Sequence, residues 1–260
     1  MKPRSIGLFD SGVGGLTVMK QLLRILPDES LIYYADTARL PYGEKSRETI
    51  IRYSIENAIF LLEKDIKMLV VACNTATAHA LEKLQHIFKV PVNGTIEPGA
   101  KHAVEVSRQG RIAVLGTKGT IKSQCYQEAI LKGNPDAFVL PIACPLFVPL
   151  VEEQYFSHPA TRLIVQEYLK PIKEQRIDTI LLGCTHYPLL KDLIQQEVGS
   201  DIAIIDSATA CAQKVASLLA EKSSTGPTYR YYVSDDPVKF QKMGQTFLGI
   251  AIDHVESVHH

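Results

Sequence analysis

Cys73 and Cys184 stand in matching settings. Cys73 ends the apolar run Met68-Leu69-Val70-Val71-Ala72 and leads through Asn74-Thr75 into Ala76-Thr77-Ala78-His79-Ala80-Leu81. Cys184 ends Thr179-Ile180-Leu181-Leu182-Gly183 and leads through Thr185-His186 towards Pro188-Leu189-Leu190. Each pattern reads as a buried strand, a cysteine at its carboxyl end, a small polar residue and a helix start, which is where open α/β sheets hold ligands. A thiol at a helix N-terminus sees the positive end of the helix dipole, so a lowered pKa and a reactive thiolate are expected. One such cysteine could be a nucleophile. Two in mirrored positions suggest proton-transfer groups flanking one carbon. His186, two residues after Cys184, is near enough to affect its protonation.

Other segments offer weaker chemistry. Asp10-Ser11-Gly12-Val13-Gly14-Gly15 lies between a strand and a helix, where backbone N–H groups can hold an anion. A nucleotide site is one reading, with Asp36 at the end of the next strand in the place of a ribose-binding acid. However, Thr17 stands where the dinucleotide fingerprint needs its third glycine, and no P-loop lysine follows. Asp36-Thr37-Ala38-Arg39-Leu40-Pro41-Tyr42-Gly43 reads either as a plain turn or as a loop over the site that offers Tyr42 and the Gly43 backbone. Cys144, in Cys144-Pro145-Leu146-Phe147-Val148-Pro149, is a third thiol to weigh, although a small apolar core residue is the better reading. Cys125 and Cys211 fall in helical stretches and read as core. His79, His86, His102 and His158 make no metal-ligand pattern, and the terminal His259-His260 pair is too short for one.

These residues need a scaffold, and the chain repeats one. Ser5–Asp10 is matched by Arg111–Gly116, Leu31–Asp36 by Ala137–Ile142, and Val90–Val92 after the first cysteine helix by Ile202–Ile205 after the second. The offsets stay near roughly 105–112 residues, the scale of a small domain. Helices are expected at 16–25, 46–64, 75–87, 98–108, 121–131, 158–175, 188–198 and 208–220. Strands alternating with helices predict an α/β fold of two pseudo-symmetric, open, mainly parallel domains with the active site in the cleft between them. The chain crosses near Gly94–Pro98 and returns near Asp206–Ser207, so residues 1–96 plus 207–260 form the first domain and 97–206 the second. Tyr229–Val233 and the helix from Pro237 close the first domain, and Ser223–Pro227 reads as a loose surface loop.

Composition agrees. The 260 residues suffice for one or two full cores. With 28 Lys plus Arg and 28 Asp plus Glu, no field recruits nucleic acid or an anionic membrane. No apolar stretch approaches the roughly 20 residues of a membrane span, and Met1-Lys2-Pro3-Arg4-Ser5 lacks the apolar core of a signal peptide. Five cysteines without a tight spacing pattern fit a reduced cytoplasmic protein.

Taken together, Asp10–Gly15, Asp36–Gly43, Cys73-Asn74-Thr75-Ala76-Thr77-Ala78, Ile96-Glu97-Pro98-Gly99-Ala100, Cys144–Pro149 and Gly183-Cys184-Thr185-His186-Tyr187-Pro188-Leu189 resemble the glutamate branch of the cofactor-independent aspartate/glutamate racemases. The likeness runs along essentially the whole chain; Leu40 and Thr95 are ordinary variation. It implies interconversion of L- and D-glutamate without pyridoxal phosphate or metal, supplying D-glutamate for peptidoglycan. It implies Cys73 as the base toward D-glutamate and Cys184 toward L-glutamate, assisted by Asp10 and His186. Substrate contacts are implied at Asp10, Ser11, Tyr42, Gly43, Asn74, Thr75, Thr185 and His186. The partner expected is a small-molecule substrate, glutamate, with no nucleic acid and no membrane; a homodimer is left open. Two other classes stay in view. A redox or acyl-transfer enzyme would use one cysteine covalently, and a binding module could keep the cleft but would not need both thiols.

Overall fold

A computed structural model describes residues 4–219 and 226–258. The extreme N-terminus, the end of the helix expected at 208–220, most of the loop expected at 223–227 and the final histidine pair lie outside them. Contacts divide the chain into two units, one up to Thr95 and again from Ala208, the other Ile96–Ser207.

The first unit begins with β1 (Ser5–Asp10), α1 (Leu16–Ile25), β2 (Leu31–Ala35), α2 (Arg47–Leu62), β3 (Ile66–Val71), α3 (Asn74–Ile87) and β4 (Val92–Gly94). The second holds α4 (Ile96–Val106), β5 (Arg111–Gly116), α5 (Lys118–Lys122), α6 (Cys125–Gly133), β6 (Phe138–Ala143), α7 (Phe147–Glu152), α8 (Pro159–Glu174), β7 (Thr179–Gly183), α9 (Lys191–Val198) and β8 (Ala203–Asp206). From α10 (Ser207–Leu218) the chain returns, adding β9 (Tyr229–Val233), α11 (Pro237–Leu248) and β10 (Glu256–Ser257). The first sheet runs β10-β9-β2-β1-β3-β4 and the second β6-β5-β7-β8, and every pairing is parallel.

Continuous apolar runs explain the strands: β1, β2 and β7 are buried along their whole length, as strands covered on both faces must be. In each sheet the chain leaves one central strand toward one edge and the next central strand toward the other. The resulting switch points lie at the carboxyl ends of β1 and β3 in one unit and of β5 and β7 in the other. Asp10 and Cys73 follow from the first pair, Thr117 and Cys184 from the second.

Several elements depart from expectation. The helix expected at 121–131 is broken into α5 and α6 by Gln124, which has φ of 61°. Ser123 causes it locally: its hydroxyl donates to the Thr120 carbonyl at 2.6 Å and accepts from the Cys125 N–H at 3.3 Å, competing with helical bonds. The helix expected from Pro188 opens instead as a 3-10 segment, Tyr187–Leu190, before α9. The strand expected at 90–92 falls at Val92–Gly94, because Pro91 lacks an N–H and contributes only its carbonyl, accepting from Leu69 at 2.9 Å.

Candidate active site

Cys73 caps α3. Its sulfur accepts from the Ala76 N–H at 3.4 Å and lies 3.9 Å from the Ser11 hydroxyl. Asp10, fully buried, accepts from the Gly12 N–H at 2.9 Å and so folds the turn after β1. The turn must be tight. A Cβ at Gly15 would come within 2.6 Å of the Asp10 Cβ and 2.9 Å of the Ala72 Cβ, so no other residue fits there without a shift. Asn74, Thr75 and Ser11 are buried beside this thiol's loop, and the Asn74 side-chain oxygen accepts from the Thr95 hydroxyl at 3.0 Å.

The expected lowering of the Cys73 pKa is overturned. Burial, and next the negative charge of Asp10, push it up to about 12, against the smaller opposing pull of the Ala76 N–H. A dipole acting through one weak bond does not offset complete desolvation. The resting group is therefore a thiol. Alkylation of Cys73 by iodoacetamide should accordingly be slow at neutral pH and rise about tenfold per pH unit. Peptide mapping by mass spectrometry measures it; rapid modification at pH 7 would mean that the dipole, not burial, governs this thiol.

Cys184 sits differently. The 3-10 segment after it means that the thiol does not cap an α-helix, and its sulfur lies 4.0 Å from the His186 Nδ1. His186 is buried, and its Nε2 meets Glu152 Oε1 at 3.0 Å. With that carboxylate accepting, Nε2 carries a hydrogen and Nδ1 is directed toward the thiol. The Thr185 hydroxyl lies 3.5 Å from the same Nδ1. Gly183 gives Cys184 its floor, since a Cβ there would reach 2.8 Å from the Tyr126 ring and 3.1 Å from the Leu115 carbonyl.

Tyr42 is in the core rather than over it. Its hydroxyl donates to Asp36 and accepts from the Asn57 amide at 3.0 Å, so the phenol is held within the first unit. Arg39 Nε meets both Asp36 oxygens at 2.9 and 2.8 Å, and the Ser234 hydroxyl donates to the same carboxylate at 3.2 Å. Asp36 is spent on this network, which removes the ribose-binding reading. Cys144 is buried, its thiol pushed up by burial alone, and it packs as core. Cys211 is likewise buried, whereas Cys125 opens α6 half-buried. Among the described residues, no three His, Cys, Asp or Glu side chains could hold a metal. No described helix is long and apolar enough to cross a membrane.

Two further residues stand out. Thr117 directly follows the second switch-point strand, as Ser11 follows the first, and caps α5 through the Thr120 N–H at 3.2 Å; the repeat alignment pointed to it. Glu152, 34 residues before His186, lies in the segment that follows Cys144, and no local signal gave its role.

Fold and site define an α/β protein that presents one thiol at the switch point of each of two parallel sheets. The chain matches the Asp/Glu/Hydantoin racemase description over residues 6–215. It is 49% identical to a glutamate racemase of Geobacter metallireducens, over 98% of this chain and 96% of that one. The structure superposes on a glutamate racemase of Bacillus anthracis with TM-score 0.96 at 38% identity, covering 99% and 98% of the two chains. It matches the Francisella tularensis enzyme, solved in complex with D-glutamate, with TM-score 0.92 at 39% identity, covering 98% and 97%. The chain belongs to the Asp/Glu/Hydantoin racemase family.

Proposed function

We propose that this protein is a glutamate racemase working through two thiols, in the cytoplasm, supplying D-glutamate for peptidoglycan. The observation that carries the reading is the placement of Cys73 and Cys184, each at the switch point of its own sheet, in a chain 49% identical to a glutamate racemase. Inversion at carbon needs one group to take the α-proton from one face and another to return a proton to the other. Cys73 takes it from D-glutamate and Cys184 from L-glutamate. The high Cys73 pKa suits it as proton donor. To act as base it needs the substrate's ammonium close by, because a cation within about 4–6 Å favours the thiolate. Asp10 holds that ammonium, and His186, oriented by Glu152, accepts from Cys184. The backbone of Tyr42, Gly43 and Asn74 and the hydroxyls of Ser11, Thr75 and Thr185 bind the two carboxylates and, as fixed dipoles, stabilise the negative charge that develops in the transition state. No cofactor takes part.

Circular dichroism of L- and D-glutamate over time tests this, on protein treated exhaustively with chelator. Both enantiomers should decay to zero signal, since they have equal free energy, while aspartate stays essentially unchanged. An unchanging glutamate signal would leave a binding module. Activity lost on chelation and restored by a metal would refute the cofactor-free mechanism.

A further inference from the structure

We infer that each thiol is held in place by its own buried tyrosine, Tyr33 for Cys73 and Tyr187 for Cys184, each a positioning residue for one face of the reaction. The inference rests on the two-thiol reading above. Tyr33 is fully buried, stacks on Phe240 at 5.9 Å between ring centroids, and donates its hydroxyl to the Gly12 carbonyl at 2.8 Å. Gly12 in turn donates its N–H to Asp10, so the phenol closes the Asp10–Gly12 turn from beneath. A Cβ at Gly15 would stand 2.7 Å from the Tyr33 oxygen, 2.6 Å from Asp10 and 2.9 Å from Ala72, the residue before Cys73. The hydroxyl, the carboxylate and the strand end bearing the thiol thus converge on one point.

Tyr187 does the same work by another route. It is fully buried and donates to the Cys144 carbonyl at 2.8 Å, while its own N–H donates to the Cys184 carbonyl at 3.2 Å. The Cys144 carbonyl also accepts from the Phe147 N–H at 3.2 Å, and Phe147 opens α7. α7 ends at Glu152, the partner of His186. The Phe147 and Tyr187 rings meet edge to face at 5.1 Å, fixing the corner. Burial raises both phenols, and the neighbouring thiols, with Asp10 at Tyr33, raise them further. Both stay neutral donors across the working pH, so neither is itself a base.

The test is Tyr33→Phe and Tyr187→Phe, each keeping the ring and losing only the donor. Racemisation should fall, up to roughly 100-fold for a misplaced acid–base group. kcat/KM must fall equally in both directions because the equilibrium constant is one. The face shows in isotope effects. In Tyr33→Phe the α-deuterium effect should grow with D-glutamate, whose proton goes to Cys73, and shrink with L-glutamate. Tyr187→Phe should show the opposite pattern. A merely structural loss would lower the melting temperature and the active fraction but leave both isotope effects as in wild type, and that outcome overturns the inference. p-Aminophenylalanine at either position restores a donor and should return the wild-type pattern. Either position alone decides, so one variant that does not fold leaves the other to carry the result. A wild type that does not racemise glutamate overturns the parent reading and this inference together. A racemising wild type with symmetric variants overturns this inference alone.

Discussion

In Cys73→Ala, and separately in Cys184→Ala, racemisation is expected to fall by about 10⁴-fold or more. Loss of one positioned acid or base ordinarily costs about 10²–10⁴-fold. Here the upper end applies, because the remaining thiol addresses only its own face of the α-carbon. The fold should survive. Cys73 contributes one long sulfur cap to α3, and a lost cap costs about 1 kcal/mol. The variants should retain a partial reaction: Cys73→Ala can still exchange the α-proton of L-glutamate with solvent through Cys184, without inverting it, and Cys184→Ala the α-proton of D-glutamate. Circular dichroism reads inversion and proton NMR in deuterium oxide reads exchange. Inversion within 100-fold of wild type in either variant would end the two-thiol mechanism.

The second large effect is isotopic. In deuterium oxide, nearly every D-glutamate molecule formed from L-glutamate should carry solvent deuterium at the α-carbon, and the reverse reaction should label L-glutamate equally. The proton removed by one thiol is not the proton delivered by the other, which equilibrates with solvent between turnovers. A single base swinging across both faces would instead hand back part of the original proton. Early product retaining its original α-hydrogen in substantial yield would therefore rule out independent bases at Cys73 and Cys184. A covalent thiol enzyme would not produce this labelling in both directions.

The sequence alone determined the elements on which the site is built. Runs such as Met68–Ala72 and Thr179–Gly183 are too apolar and too short for anything but buried parallel strands, and a polar junction after such a strand lands at the sheet's carboxyl edge. Both thiols, Asp10-Ser11 and Asn74-Thr75 were legible for that reason, since each is fixed by residues within about ten positions of it in the chain. Tertiary structure decided what those residues are worth chemically. The dipole argument for Cys73 was local and correct in sign, yet burial and the Asp10 carboxylate, brought from β1, reverse the outcome. Tyr42 looked like a ligand-facing side chain, but Asp36 and Asn57 claim its hydroxyl. Ser123 broke a helix that periodicity alone would continue. Glu152 reaches His186 across 34 residues only because α7 packs against the 3-10 segment Tyr187–Leu190. Strand and helix patterns arise from neighbours along the chain, whereas charge states and hydrogen-bond partners arise from neighbours in space, and no spacing in the sequence encodes those distances.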